Sequence, residues 1–257
     1  MRQVRDNWDN SWKKYDFNSK LDLSIIRQES LSVRWRKIKK AVLSRYGAFK
    51  GLKVVEIGSG RGEISLLFAL EGADVSLVDY SREALVKARE LFGIFGLEPK
   101  CINADVFNIP GSILGSFDVS MSFGLAEHFD QPLRRQIFRV HADLLAPEGL
   151  LFVAVPNKAC FPYRFFMRLC DMLGYRSQTI EIPFSRGELE GAAVDLGLNK
   201  AMVFGSSFIR DTAYFVCTRY ISHLTGWKTI IDTSLLEIPT FLDDHLGYSL
   251  VLSGVKK

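Results

Sequence analysis

Gly58, Gly60 and Gly62 stand at alternate positions directly after Val54, Val55, Glu56 and Ile57, an apolar run whose one acid is Glu56. Glycine takes positive φ at no steric cost and lets a ligand approach the backbone, so a bare loop of this kind suits a nucleotide-like ligand. Asp79 follows Gly58 by 21 positions; a ribose-binding acid in a βαβ unit falls roughly 20 residues on. Its other reading, a helix cap, is better filled by Ser81, which directly precedes Arg82 and Glu83. Asp105 is a second acid at the end of a short apolar run, where it could line a site or simply make a turn. Glu127 and His128 set a carboxylate beside an imidazole. Histidine titrates near neutrality, so His128 is the candidate general base for a hydroxyl or phenol, or else a loop histidine that orients backbone. Consecutive side chains usually point apart, which separates Glu127 from that role.

The loop's details exclude two common ligands. A dinucleotide fingerprint needs its third glycine where Glu63 stands, and a phosphate-binding P-loop needs a Gly-Lys-Ser/Thr tripeptide that does not follow Gly58. Glu56 would repel a pyrophosphate, whereas a ligand bearing an ammonium and a sulfonium would find that acid favourable.

The elements that must position these residues follow from hydrophobic period. Strands are expected near 53–58, 74–79, 100–105, 117–123 and 150–155, alternating with helices, which implies a parallel sheet with right-handed crossovers. Loops at the carboxyl ends of such strands are where open α/β sheets bind ligands. Leu31, Trp35, Ile38 and Val42 lie at helix spacing before the first strand, and Pro132 fits the first turn of a helix with Leu133, Ile137, Val140 and Leu144 on its apolar face. Ser185 and Glu188 form a capping box that opens a helix ending before Gly197. Residues 198–205 and 248–255 read as the last two strands; the long segment between them is read as an insertion with a helix over 208–224.

Taken together, Glu56-x-Gly58-x-Gly60-x-Gly62, Val75–Asp79, Cys101–Asp105, Phe117–Phe129 and Leu144–Val153 resemble, in order, the motifs of the class I S-adenosylmethionine-dependent methyltransferases. The resemblance covers roughly residues 50–156, the cofactor half of a doubly wound Rossmann-like fold. It implies a seven-stranded, mostly parallel sheet with an antiparallel last strand and helical cap insertions. It also implies S-adenosylmethionine as donor, S-adenosylhomocysteine as product, and donor contacts from Glu56, Gly58, Ser59, Gly60, Gly62, Asp79, Tyr80, Asp105, Val106, Phe123 and Gly124. Amino-terminal aromatics fold over the donor in many relatives, so Trp8, Trp12 and Tyr15 are read either that way or as core; Trp12, Glu127, Tyr163 and Phe165 are the acceptor-side candidates. Ser-Met-Ser-Phe in the fourth motif departs from the Asn/Asp-Pro-Pro-Tyr/Phe of amino-nitrogen nucleic-acid methylases, and no cysteine lies there for attack on a pyrimidine, so a small molecule is favoured. Glu127-His128-Phe129 also echoes the cyclopropane-fatty-acid and mycolic-acid methyltransferases, without their amino-terminal pattern.

Composition sets the remaining bounds. A chain of 257 residues, 47% hydrophobic, can bury a full core. It reads as one enlarged domain, with a helical leader over 1–50, the donor-binding core over 51–156, and sheet completion with acceptor-cap insertions over 157–257. A net charge of +4 with dispersed basic residues does not suggest nucleic acid; the cluster Arg34, Arg36, Lys37, Lys39 and Lys40 reads as the solvated face of an amphipathic helix. Four scattered cysteines read as buried thiols, four scattered histidines give no metal spacing, and no apolar stretch reaches bilayer length, so a soluble cytoplasmic protein without a metal is expected. A homodimer is compatible with this. Phe161, Phe165, Leu169 and Met172 share one helical stripe, read as core, as a lid over a partly apolar acceptor, or as a membrane-surface contact.

The expected function is methyl transfer to oxygen, nitrogen or carbon of a small, partly apolar molecule. The rival is a non-catalytic protein of the same fold that serves as a binding or partner module; a nicotinamide-linked reductase comes third.

Overall fold

The computed structural model describes residues 8–9, 11–13, 19–172, 181–214 and 236–257. Seven strands form one sheet in the order β3-β2-β1-β4-β5-β7-β6: β1 Lys53–Ile57, β2 Asp74–Asp79, β3 Lys100–Asn103, β4 Phe117–Phe123, β5 Leu145–Pro156, β6 Asn199–Gly205 and β7 Ser249–Val255. Strands β1 to β5 pair in parallel, while β7 runs antiparallel to both β5 and β6. Alternating residues explain why the inner strands are buried on both faces. Val54, Leu77, Met121, Phe152 and Val251 enter one core layer, whereas their neighbours Val55, Val78, Leu151 and Leu252 enter layers on the opposite face.

Helices α1 Ser19–Leu31, α2 Val33–Tyr46, α3 Glu63–Leu70 and α4 Arg82–Gly93 lie before β3; α5 Leu133–Leu144, α6 Phe161–Met172, α7 Arg186–Asp195, α8 Phe208–Ala213 and α9 Asp243–Leu246 follow it. Trp35, Ile38, Phe68, Leu91 and Phe92 from α2, α3 and α4 cover the first face, and Ile137, Phe138, Leu189 and Ala193 from α5 and α7 cover the second. Caps set the helix starts: Ser32 accepts from Trp35 N, Ser81 from Ala84 N, and Ser185 and Glu188 form the expected reciprocal box. On the second face, His141 of α5 is sealed between Ser120 Oγ (2.8 Å) and Ser122 Oγ (3.0 Å), and burial pushes its imidazole down to about 3.

Four expectations are corrected. Ser32 divides the amino-terminal helical pattern, so Leu31 ends α1 half-exposed instead of sharing the buried stripe of Trp35, Ile38 and Val42. Strand β5 starts at Leu145, not near 150, with a register irregularity opposite Phe117 and Val119. The stripe on α6 faces outward, with Phe161 and Phe165 58% and Met172 84% exposed, because Tyr163, Phe166 and Met167 supply the packed side against Tyr214 and Tyr248. Cys160 is buried as expected but Cys101 is only partly so. Tyr15, Cys217, His223 and the 215–224 part of the expected helix lie outside the described residues; α8 begins at Phe208, capped by Ser207. Among the described residues, no helix is long and apolar enough to cross a membrane.

Candidate active site

The strand order reverses between β1 and β4, and two adjoining cavities of about 430 and 320 Å³ open beside the carboxyl ends of these strands. Ser59, Glu63, Phe123 and Gly124 line both.

The first cavity is floored by the glycine loop. Gly58 and Gly60 hold φ of +61° and +52°, where an L side chain is strained. A Cβ on Gly58 would come within 2.6 Å of Leu125 Cδ1, and one on Gly60 within 3.0 Å of Trp12 Cζ2, so only bare backbone keeps this space open. Gly62, at φ +69°, lines neither cavity; its missing side chain lets α3 approach Leu77 and Phe92. Asp79 closes the loop from the next strand, its Oδ2 accepting from Gly60 N (2.8 Å) and its Oδ1 from Ser81 N (2.9 Å). Burial raises this carboxyl above its ordinary range, opposed by those amide bonds. Each carboxylate oxygen can accept more than one bond, so Asp79 retains capacity for ligand hydroxyls. Asp105 accepts from Phe107 N (2.9 Å), fixing the turn after β3. The wall is aromatic: Phe107 meets Phe129 edge-on at 5.2 Å, and Trp8 meets the His128 ring at 5.3 Å. Asp9 holds this leader in place by accepting from Ser81 Oγ at 2.5 Å.

The second cavity is carboxylate-rich. Glu56 shares the face of Val54, so it points under α3, where it accepts from Ser65 Oγ (2.5 Å). Burial pushes Glu56 up to about 8. Glu29 and Arg34 form a two-pronged ion pair (3.0 and 2.8 Å), and the Arg34 guanidinium lies 5.4 Å from the centre of the Phe123 ring. Glu127, 3% exposed, lines the same cavity; burial pushes it too up to about 8, and its Oε2 has no hydrogen-bond partner.

Gly58, Ser59, Gly60, Asp79, Tyr80, Asp105, Val106, Phe123, Gly124, Trp12 and His128 therefore gather around the first cavity, with Phe123, Gly124 and Ser59 reaching the second as well. Glu56 and Glu127 face the second alone. Tyr163 lines neither; it is buried, donates to Glu181 Oε2 (2.8 Å) and packs edge-on against Tyr248 at 5.0 Å. Phe165 lies on the exposed side of α6. Glu29, Arg34 and Tyr248 line the second cavity without having been anticipated. The available signal was Ser32 three residues before Trp35: a helix starting there changes which face Arg34 occupies.

Residues 54–149 match the family described as "Methyltransferase domain". The chain is 30% identical over 117 residues to the ubiquinone biosynthesis O-methyltransferase of Cronobacter sakazakii, covering 46% of this chain and 47% of that protein. It is 34% identical over 110 residues to the protein of the same name from a Caulobacter species, covering 43% of each. The chain thus spans about half the length of the curated relatives it matches. In fold it is similar to magnesium protoporphyrin IX methyltransferase from Synechocystis with bound S-adenosylhomocysteine (TM-score 0.58, 15% identity, 99% of this chain and 94% of that one). It is likewise similar to a SAM-dependent methyltransferase from Archaeoglobus fulgidus (TM-score 0.56, 16% identity, 86% and 94%). Residues 54–149 thus match a methyltransferase domain, and the glycine loop closed by Asp79 lies within them at the switch point of the seven-stranded sheet.

Proposed function

We propose that this chain transfers a methyl group from S-adenosylmethionine to a small molecule. The observation that carries this reading is the clamp between Gly60 N and Asp79 Oδ2 at the mouth of an aromatic-walled cavity. When bound, the donor supplies a methyl group already activated on a sulfonium. Gly58 and Gly60 would admit it against the backbone, Asp79 would hold its ribose, and the turn at Asp105 and Val106 would flank its base. Trp8 and Trp12 would exclude water from above. Because the leaving group is good, alignment and dryness account for most of the protein's work. His128 lines the donor cavity and Glu127 the acceptor side, which makes Glu127 the better placed of the two to meet an acceptor.

Titration calorimetry with S-adenosylhomocysteine tests the reading. Binding in the micromolar range is expected, and heat-free titrations at millimolar ligand would refute it. For His128→Ala, unchanged turnover of labelled donor would remove the imidazole from the chemistry.

A further inference from the structure

We propose that the second cavity takes a small amine as acceptor, with Glu127 holding its ammonium form and taking up its proton before methyl transfer. This rests on the methyltransferase reading above.

Charge comes first. Four carboxyl groups line the cavity, Glu29, Glu56, Glu63 and Glu127; burial holds Glu56 and Glu127 protonated while it is empty, so an entering ammonium displaces the Glu127 proton and leaves a carboxylate beside it. Arg34 is committed to Glu29, and Arg61 pairs with Glu63 at 2.6 Å. Glu56 receives the Ser65 hydroxyl. Glu127 receives nothing on Oε2, while its Oε1 lies 3.5 Å from where a Cβ of Gly124 would stand, at the seam shared with the donor cavity. Arg134, whose field reaches Glu127, is turned elsewhere: it stacks 3.3 Å from the centre of the Phe184 ring and donates to Pro183 O at 3.1 Å. Glu181 adds further negative charge near Glu127.

Unpartnered hydrogen-bonding groups are the second observation. Among the described residues, buried side-chain atoms without a partner occur at five places, and three of them, Ser59 Oγ, Glu127 Oε2 and Ser249 Oγ, belong to residues lining this cavity, Ser59 at its seam with the first. Buried polar groups are ordinarily bonded, so a cluster of exceptions around a void marks where a ligand's polar atoms belong. The ring of Tyr248 completes a wall suited to a cation.

Chemistry separates an amine from an alcohol here. A hydroxyl acceptor gathers negative charge on oxygen as its proton leaves, which an ionised Glu127 opposes; an amine carries positive charge, which the same carboxylate favours. The bound ammonium gives a proton to the Glu127 carboxylate, and the freed nitrogen lone pair forms the N–CH3 bond. The S–CH3 bond breaks with its electron pair remaining on sulfur, so the sulfonium charge passes to the methylated ammonium. The product leaves as a cation and Glu127 releases its proton to solvent. The matched relatives bear on this weakly, because Ile25, Glu29, Arg34, Tyr248 and Ser249 of the cavity all lie outside residues 54–149.

The test is calorimetry on the full chain loaded with S-adenosylhomocysteine, titrated with phenethylamine and with its neutral counterpart phenylethanol. The amine should bind at least about tenfold more tightly, equivalent to about 1.4 kcal/mol. Glu127→Gln should abolish that preference while S-adenosylhomocysteine affinity, which also reports that the variant is folded, stays unchanged. Equal or tighter binding of the alcohol, binding of neither, or a preference that survives in Glu127→Gln overturns the proposal and leaves the methyltransferase reading standing. Absence of S-adenosylhomocysteine binding to the unaltered chain would remove both. The comparison of amine with alcohol on that chain holds whether or not the variant folds.

Discussion

The two cavities meet along Ser59, Glu63, Phe123 and Gly124, yet they are built on opposite plans. In the first cavity two of the acids are already engaged by backbone: Asp79 by Gly60 and Ser81, Asp105 by Phe107. Its form comes from turns at strand ends. In the second cavity Glu127, raised to about 8 by burial, has an oxygen without a partner, as has the Ser249 hydroxyl, whereas Asp79, also raised by burial, has both oxygens bonded to amides. The contrast teaches that neighbouring cavities on one sheet can differ in whether their polar groups are already satisfied.

The largest effect that could break this contrast belongs to Gly60→Val. The branched side chain would sit at φ +52° and press on Trp12, so S-adenosylhomocysteine affinity should fall by more than about 100-fold, or about 2.7 kcal/mol; retained affinity in calorimetry would show the loop is not the floor. Asp79→Ala comes next. It strips acceptors from two amides, and a loss of roughly 1.5–3 kcal/mol in donor binding is expected, with a lower Tm. The second cavity should announce itself through pH instead. Glu56 and Glu127, raised from 4.5 to about 8, stay protonated in the folded chain while the unfolded chain ionises them. The unfolded state then binds fewer protons, so without added ligand their contribution to stability is full below pH 4.5 and is lost as pH climbs towards 8. Glu127→Gln should flatten that decline in thermal melts; an unaltered slope would show that the carboxyl is not held neutral. Smallest is Phe165→Ser on the outward side of α6, which should move stability by no more than about 0.5 kcal/mol in denaturant titration.

Most of the donor half was legible because its signals are local. The distance from Gly58 to Asp79 is fixed by one strand, one helix and one return strand, and each strand is buried on both faces, so apolar runs mark them. Ser81 and Ser185 were read correctly as caps for the same reason. Gly62 sits in the same motif yet serves packing against Leu77, a distinction that spacing cannot carry. The second cavity draws Glu29, Glu56, Glu127 and Tyr248 from four separate parts of the chain, and no periodicity links them. Arg34 was taken for a solvated charge because its helix is amphipathic; what turns it inward is the Glu29 carboxylate on the preceding helix, a contact across the break at Ser32.

One consequence follows from the place of β7. It follows both β5 and β6 in sequence, yet it lies between them with all seven residues buried. While the protein is being synthesised, β5 must wait with one edge uncovered and β6 with no neighbour until residues 249–255 emerge. Until then an apolar ladder stands open to any other nascent chain. A product truncated before Ser249 would keep that edge of β5 uncovered.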